Sequence, residues 1–430
     1  MITIEALYNI YLKSSHICTD TRKISKDCLF FALKGDNFDG NTFSESALSM
    51  GASYAIIDNP EFNTSPNTLL VDDVLTTLQD LARFHRSKLN IPVIGLTGSN
   101  GKTTTKELIN KVLSAKFKTF ATEGNLNNHI GVPLSILSIT NDVEIAIIEM
   151  GANHQQEITA LCNIALPTHG LITNIGKAHL EGFGGFEGVK LGKAELYKYL
   201  SSNNGVIFVN RNNGVLMEMA EKYPATKEFY GDNPSNLLGE LIETNPFIKV
   251  KLNFGEVAYD FQMHITGDYN FENIIAAAYI GWYFKIEPKE IVNSLSNYIP
   301  TNNRSQIKNT PFNTVICDFY NANPSSMHAA ILNLMAQSHP FKVAILGDMF
   351  ELGDESAENH RSIIASALKA NFNETLFIGE QFYKELLPDA KFFRTKIEAE
   401  NYLKQHPIKN ALVLIKGSRG MALEQLLPLF

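Results

Sequence analysis

Residues 93–108, VIGLTGSNGKTTTKEL, set two glycines, a lysine and a threonine between a β-branched apolar run and a helix-like string. Gly98 and Gly101 can take backbone angles closed to other residues, so successive N–H groups can turn inward toward an anion at the positive end of a helix dipole. Lys102 adds a mobile cation and Thr103 a hydroxyl suited to Mg²⁺. Leu96 stands where the full G-x-x-x-x-G-K-[ST] pattern has its first glycine, leaving the shorter T-G-x-x-G-K-T. An ordinary glycine turn before a helix is the plain alternative. The order strand, glycines, lysine, threonine, helix points instead to a nucleoside triphosphate.

Other polar residues follow apolar runs, where open α/β sheets place their ligands. Glu149 ends AIIE and could hold Mg²⁺ beside the loop, or simply cap the next turn. Asn174, His179, Glu181, Lys190 and Lys193 crowd a glycine-rich stretch after ITNI, a setting that favours a site over a structural histidine. Asn270 and Asn273 open an apolar helix, where an N-cap explains them equally well. Arg304 could reach a phosphate from a second unit, or could be a solvated surface residue. Asp318 ends TVICD, and Lys416, Ser418 and Arg419 follow ALVLI, where they could bind an anion near a helix start.

These residues need elements to hold them. At 430 residues the chain suits about three domains of ~150 residues. A first unit, 1–89, carries strand-like CLFFAL and YAIID around a helix near 42–50, then an apolar helical pattern in VLTTLQDLARFHRSKL. A second, 90–300, alternates IPVIGLT, VEIAIIEM, HGLITNI and GVIFVN with helical segments, as a parallel sheet with crossover helices does. The polar stretch PTNNRSQ, 300–306, reads as a linker to a third unit, 301–430, a smaller doubly wound domain with strands TVICDF, KVAILGD, ETLFIG and ALVLIKG.

With 44% hydrophobic and 19% charged residues, and no apolar run long enough for a bilayer, the expectation is a soluble protein without membrane insertion. The start MITIEALYNIYLK lacks signal-peptide features, and the four cysteines lack metal-ligand spacing, so a reduced, cytoplasmic setting is expected. A net charge of −8 argues against nucleic acid as a partner.

TGSNGKTTTKE, EMGANHQQEI, TNIGKAHLEGFGGFEGVKLGKAEL, GDYNFENIIAAA, DFYNANPSSM, LGDMFELG and KGSRGMALE occur in the order and spacing of the Mur ligases. Together with CTDTRKISKDCLFFALKGDNFDGNTF near the start, the chain resembles that family over nearly its whole length, and within it the MurF type, for which YNANP and LGDMFELG are distinctive. The resemblance implies an α/β protein of three domains: a small UDP-sugar-binding domain, a central P-loop ATP-binding domain with a mostly parallel sheet, and a C-terminal Rossmann-like domain. It implies an enzyme of peptidoglycan synthesis that uses ATP to phosphorylate the terminal carboxylate of UDP-N-acetylmuramoyl-tripeptide. D-Ala-D-Ala then attacks the acyl phosphate. A monomer is the expected state.

Carried over, Gly98, Ser99, Asn100, Gly101, Lys102, Thr103 and Thr104 would cradle the phosphates of ATP, with Lys102 on the transferring group. Thr103, Glu149, His179 and Lys193 would hold two Mg²⁺ ions, Lys193 as a carbamate formed with CO₂; Lys190 is a rival that spacing does not exclude. Asn273, Arg304 and Asp318 would help hold ATP. Thr21, Arg22, Lys34, Asn41 and Phe43 lie in the motif resembling the uridine-nucleotide site, and Asn127 and Asn128 would face the muramoyl-peptide. Phe319 departs from the small residues commoner before YNANP, and GVKLGKAEL from the usual pattern around the modified lysine. Rival readings are a sister ligase with another amine acceptor, a folylpolyglutamate synthase, a non-catalytic ATP-binding switch, and a P-loop kinase of a small metabolite.

Overall fold

The computed structural model describes residues 2–231, 237–388 and 390–430. Near the start, four parallel strands lie in the order Ile17–Cys18, Leu29–Phe31, Tyr54–Ile57 and Thr68–Leu70. The helix Val74–Lys88 follows, started by Asp73, whose carboxylate accepts the N–H of Thr76. It buries Val74, Leu78, Leu81 and Ala82, the face that its 3.6-residue spacing dictates. In its last turn the buried Arg86 guanidinium donates to the carbonyls of Leu89, Ala165 and Leu166 at 2.7, 3.0 and 3.1 Å. This helix ties the first unit to the second, and one apolar core runs from Leu29 and Ile56 through Leu78 to Ile136, Ile158 and Leu196.

The second unit is built on six parallel strands in the order Thr226–Tyr230, Val206–Asn210, His169–Ile172, Val93–Thr97, Ile145–Glu149 and Thr119–Ala121. Every residue of Val93–Thr97 and Ile145–Glu149 is buried, as expected of strands covered on both faces. Helices Lys102–Leu113 and Asn270–Tyr283 pack side by side on one of those faces. Gly281 permits the approach: a Cβ there would lie 2.3 Å from Val112 Cγ1. Trp282, the chain's one tryptophan, sits half-buried at the far end of this pair, its ring 5.8 Å from that of Tyr279. An antiparallel sheet of Leu237–Glu243, Lys249–Phe254 and Val257–Gln262 covers the same side with Val250, Leu252 and Phe261. The sequence reading contained neither this sheet nor the short strands Thr119–Ala121 and Thr226–Tyr230.

The third unit has strands in the order Gln306–Asn309, Thr314–Asp318, Leu412–Lys416, Lys342–Gly347, Glu374–Ile378 and Lys391–Phe393, all parallel except the first. The stretch read as a linker ends in the edge strand that opens this sheet, at Gln306. Separate apolar cores fill the two faces. Among the described residues no buried apolar cluster joins this unit to the rest of the chain. Polar contacts do so instead: Asn323 Nδ2 donates to Asn100 Oδ1 at 2.7 Å, Lys177 N to Ser325 Oγ at 3.2 Å, and Gln337 Nε2 to the Thr244 carbonyl at 3.0 Å. No helix among the described residues is long and apolar enough to cross a membrane.

Candidate active site

The carboxyl ends of the central strands, with residues from the third unit, enclose a cavity of about 800 Å³. The loop after Val93–Thr97 forms its floor. Gly98 has φ +146°, and a Cβ there would lie 2.0 Å from Thr173 Oγ1. Gly101 has φ +78°, and its Cβ would meet Asn273 Oδ1 at 2.7 Å. Both positions therefore require glycine for conformation and for space. Gly101 is the N-cap of Lys102–Leu113 and offers no side-chain cap, which leaves the first N–H groups of a buried helix end available to an anion. The segment after His169–Ile172 props the loop: Ser99 N donates to the Asn174 carbonyl at 3.0 Å, Asn100 N to Asn174 Oδ1 at 3.0 Å, and Thr173 Oγ1 to the Asn100 carbonyl at 2.6 Å.

Lys102 folds back, Nζ donating to the carbonyls of Gly98 at 2.7 Å and Ser99 at 3.2 Å. Burial pushes its ammonium below the ordinary lysine range, Arg304 adds to that, and Glu149 opposes it. The expected mobile cation is thus parked on its own loop. Glu149 ends its strand 2% exposed; its Oε1 accepts from Thr103 Oγ1 at 3.2 Å and from Asn127 Nδ2 at 2.9 Å, while its buried Oε2 has no partner. A buried, half-satisfied carboxylate beside a hydroxyl is a donor set suited to a divalent cation. Asn127 accordingly meets this carboxylate from the cavity wall. Asn128 also lines the cavity, but its Oδ1 accepts from the N–H groups of Ile130 and Gly131 at the start of the helix Gly131–Leu137.

Lys193 and Lys190, equivalent by spacing, differ in place. Lys193 is 1% exposed, and its Nζ donates to the carbonyl of Ala152, a cavity residue, at 3.0 Å. Burial, and after it the charge of Lys102, push its ammonium well below the ordinary range, while Glu157 and Glu195 oppose the shift. Lys190 is paired with Glu187 at 2.8 Å, one turn away on the same helix. His179 lines the cavity in a left-handed conformation, φ +53°, and its Nδ1 meets Glu351 of the third unit. That contact holds the Glu351 carboxyl below the usual carboxylate range. Glu351, itself at φ +62°, lies in LGDMFELG and was not singled out from the sequence. Its left-handed backbone belongs to the fold and leaves no mark in the residue types of that motif.

Asn270 and Asn273 do not cap their helix, whose N-cap is Tyr269. Asn273 Oδ1 instead accepts from Thr105 Oγ1 at 2.9 Å, and its Nδ2 donates to Asn270 Oδ1 at 2.9 Å, which locks this helix to the phosphate-loop helix. Arg304 enters the cavity with its guanidinium 3.7 Å over the Tyr320 ring and a buried Nε without a partner. Tyr320 was missed because an aromatic in a turn carries no sequence signal of what it supports. Asp318 lines the cavity at its strand end, held by Lys416 Nζ at 2.8 Å.

Lys416 itself also lines the cavity, with its charge on Asp318 and its Nζ donating to the Asn321 carbonyl at 3.0 Å. Ser418 is also committed: its Oγ accepts from Phe350 N at 3.0 Å, and it does not line the cavity. Arg419 is exposed, its guanidinium 5.1 Å from the centroid of the Tyr320 ring. Thr21, Arg22, Lys34, Asn41 and Phe43 all lie outside the cavity, in the first unit. Asn41 is fully buried and spends its amide internally, Nδ2 on Asp39 and Asp58 at 2.7 and 2.8 Å, Oδ1 on the N–H groups of Asp58 and Asn59. It knots the loop rather than offering a free hydrogen bond. Lys34 is paired with Asp58 at 2.7 Å and Arg22 with Asp20 at 2.8 Å; the Phe43 ring is exposed.

Comparison with known proteins places this geometry. Family models described as Mur ligase family, catalytic domain, Mur ligase middle domain, and Mur ligase, glutamate ligase domain match residues 13–86, 96–281 and 303–419. The chain is 34% identical to the UDP-N-acetylmuramoyl-tripeptide–D-alanyl-D-alanine ligase of Bacillus subtilis strain 168 over 424 residues, covering 95% of this chain and 92% of that one. Its fold is similar to MurF from Acinetobacter baumannii, with a TM-score of 0.88, 29% identity, and 99% and 98% of the two chains covered. It is also similar to MurF ligase from Thermotoga maritima in complex with ADP, with a TM-score of 0.86, 25% identity, and 98% and 97% covered. With matches spanning all three units, the chain belongs to the Mur ligase family and, within it, to the MurF type.

Proposed function

We propose that the chain is an ATP-dependent carbon–nitrogen ligase that joins D-Ala-D-Ala to UDP-N-acetylmuramoyl-tripeptide in cytoplasmic peptidoglycan precursor synthesis. The observation that carries this reading is the cavity's composition: phosphate-loop residues and a half-satisfied Glu149 from one unit face Arg304 and Asp318 from the chain beyond it. A carboxylate and a triphosphate, both anions, must meet there. Lys102 and Arg304 neutralise the charge that develops as a substrate carboxylate oxygen attacks the γ-phosphorus and ADP leaves. The amine of D-Ala-D-Ala then adds to the acyl carbon, and the tetrahedral adduct expels phosphate while the amine loses its proton. The polar closure of the third unit keeps water from the acyl phosphate.

Thr103 and Glu149 would hold one Mg²⁺, and His179 with a carbamylated Lys193 a second. Bound there, the ions would withdraw charge from the phosphates. Lys193, buried with its Nζ against the cavity residue Ala152, is placed for carbamate formation, in which the amine nitrogen bonds the carbon of CO₂ and releases a proton, and burial favours the unprotonated amine that this step needs; Lys190 is instead paired with Glu187. Thr21, Arg22, Lys34 and Phe43 would meet the uridine nucleotide around the loop that Asn41 knots, and the functional units divide at 89/90 and 300/301.

Phosphate release from MgATP, with UDP-muramoyl-tripeptide and with or without D-Ala-D-Ala, tests the reading, followed by mass analysis of the nucleotide product. Release that needs both substrates, with a product heavier by one D-Ala-D-Ala less water, is expected. ATP binding without turnover would sustain the switch reading instead, and turnover only with another amine would move the chain to a sister ligase.

A further inference from the structure

Outside the cavity lining, the sheet of the first unit gathers three ligand-bearing side chains. Ile17 and Cys18 pair in parallel with Leu29 and Phe30, so carrying the register one residue back sets His16 opposite Cys28. His16 and Cys18, two apart on one strand, share a face, and Cys28 on the neighbouring strand shares it with them. One imidazole nitrogen and both sulfurs lie within 4.8 Å of one another. Tetrahedral Zn²⁺ with Zn–S bonds of about 2.3 Å needs its sulfurs about 3.8 Å apart, so the site requires only side-chain adjustment. Cys18 and Cys28 are buried in a small apolar cluster with Ala32, Ala47 and Ile57, whereas His16 is exposed. Three protein donors leave one position of a tetrahedral site for water or another small ligand. Both thiols are free, and the chain's other cysteines, Cys162 and Cys317, lie in other units.

We propose that His16, Cys18 and Cys28 form a binding site for one thiophilic d¹⁰ cation, Zn²⁺ being the ion that the donor set fits. On binding, each thiol gives its proton to solvent, so the ion's two charges are cancelled by two thiolates while the imidazole binds neutral. Cys18 Sγ now donates to the Asp20 carbonyl at 3.0 Å, and Asp20 caps the turn Thr21–Lys23. Metal capture breaks that hydrogen bond. The ion thereby reaches the loop that bears Thr21 and Arg22; only this last consequence rests on the proposed uridine-nucleotide role of that loop.

The test uses the full-length, reduced protein, titrated with Cd²⁺ as probe while the ultraviolet thiolate-to-metal charge-transfer band is followed. The expected result is a band that saturates at one equivalent and is displaced by Zn²⁺. Cys18→Ser and Cys28→Ser should each halve it and weaken binding by more than the roughly 10- to 100-fold that loss of an outer-shell partner costs. No band at one equivalent, or a band unchanged in both serine variants, would overturn the proposal. Should the buried serines prevent folding, His16→Ala at the surface decides: both thiolates stay, affinity must fall, and affinity equal to the parent's refutes the site. Activity assays with UDP-muramoyl-tripeptide are independent of this readout, so failure of the ligase reading would leave it intact.

Discussion

Arg304 carries a cation into the cavity on a short tether, stacked on Tyr320 with its Nε left unpaired. A donor held ready for charge that appears only during phosphoryl transfer should contribute to turnover more than to ground-state affinity. Arg304→Ala is therefore expected to lower kcat roughly 100-fold while shifting the ATP Kd by less than about 10-fold; steady-state kinetics and calorimetry check this, and equal losses refute it. Lys102, Glu149, Arg304 and Asp318 were legible in the sequence because each ends a strand or flanks a sheet, where polarity has few structural reasons. Asn41 and Lys416 were legible only as polar residues in a motif. Their saturation by Asp39, Asp58 and Asp318 depends on partners 2 to 98 residues away, and spacing does not encode such pairs. Lys190 and Lys193 sit one turn apart, and only the burial of their helix separates them.

Strands and helices of the parallel units follow from their apolar runs, and the glycine loop between them is their most constrained joint. Gly98→Ala would drive a methyl to 2.0 Å from Thr173 Oγ1 at φ +146°, a cost of about 1–3 kcal/mol in strain alone. Loss of ATP binding with a lowered melting temperature is expected; binding at parental strength would contradict it. A second joint is the strand His169–Ile172, whose first side chain lies against Phe208 and Tyr283. Burial pushes the His169 imidazole down to about 4. The unfolded chain then binds a proton that the folded one refuses, so stability is full above pH ~6.5 and falls as pH drops toward 4, by roughly 3 kcal/mol. Urea titrations at pH 7 and pH 5 should show this loss shrinking in His169→Gln; an identical loss in the variant rules out His169 as its source. The antiparallel sheet 237–262 was legible in part: KVKLNF alternates polar and apolar over its whole length, matching its alternating burial, whereas the neighbouring strands LLGELIE and VAYDFQ alternate irregularly.

At the scale of the molecule, apolar packing fuses the first two units, while the third meets them through polar side chains among the described residues. Interfaces of that kind open and close easily. The contact between Glu351 and His179 is a candidate clasp, since it crosses between units at two left-handed residues. Glu351→Gln should raise the KM for ATP and the radius of gyration of the ATP-bound enzyme, as X-ray scattering would register; a variant as compact as the parent with unchanged KM would deny the clasp. Trp282 lies in the central unit, at the end of Asn270–Tyr283 remote from the asparagines that brace the phosphate loop. Its emission therefore watches the central unit alone. Heating followed by tryptophan fluorescence and by circular dichroism should then trace two different curves whenever the third unit melts by itself, an optical reading of domain independence with no label attached.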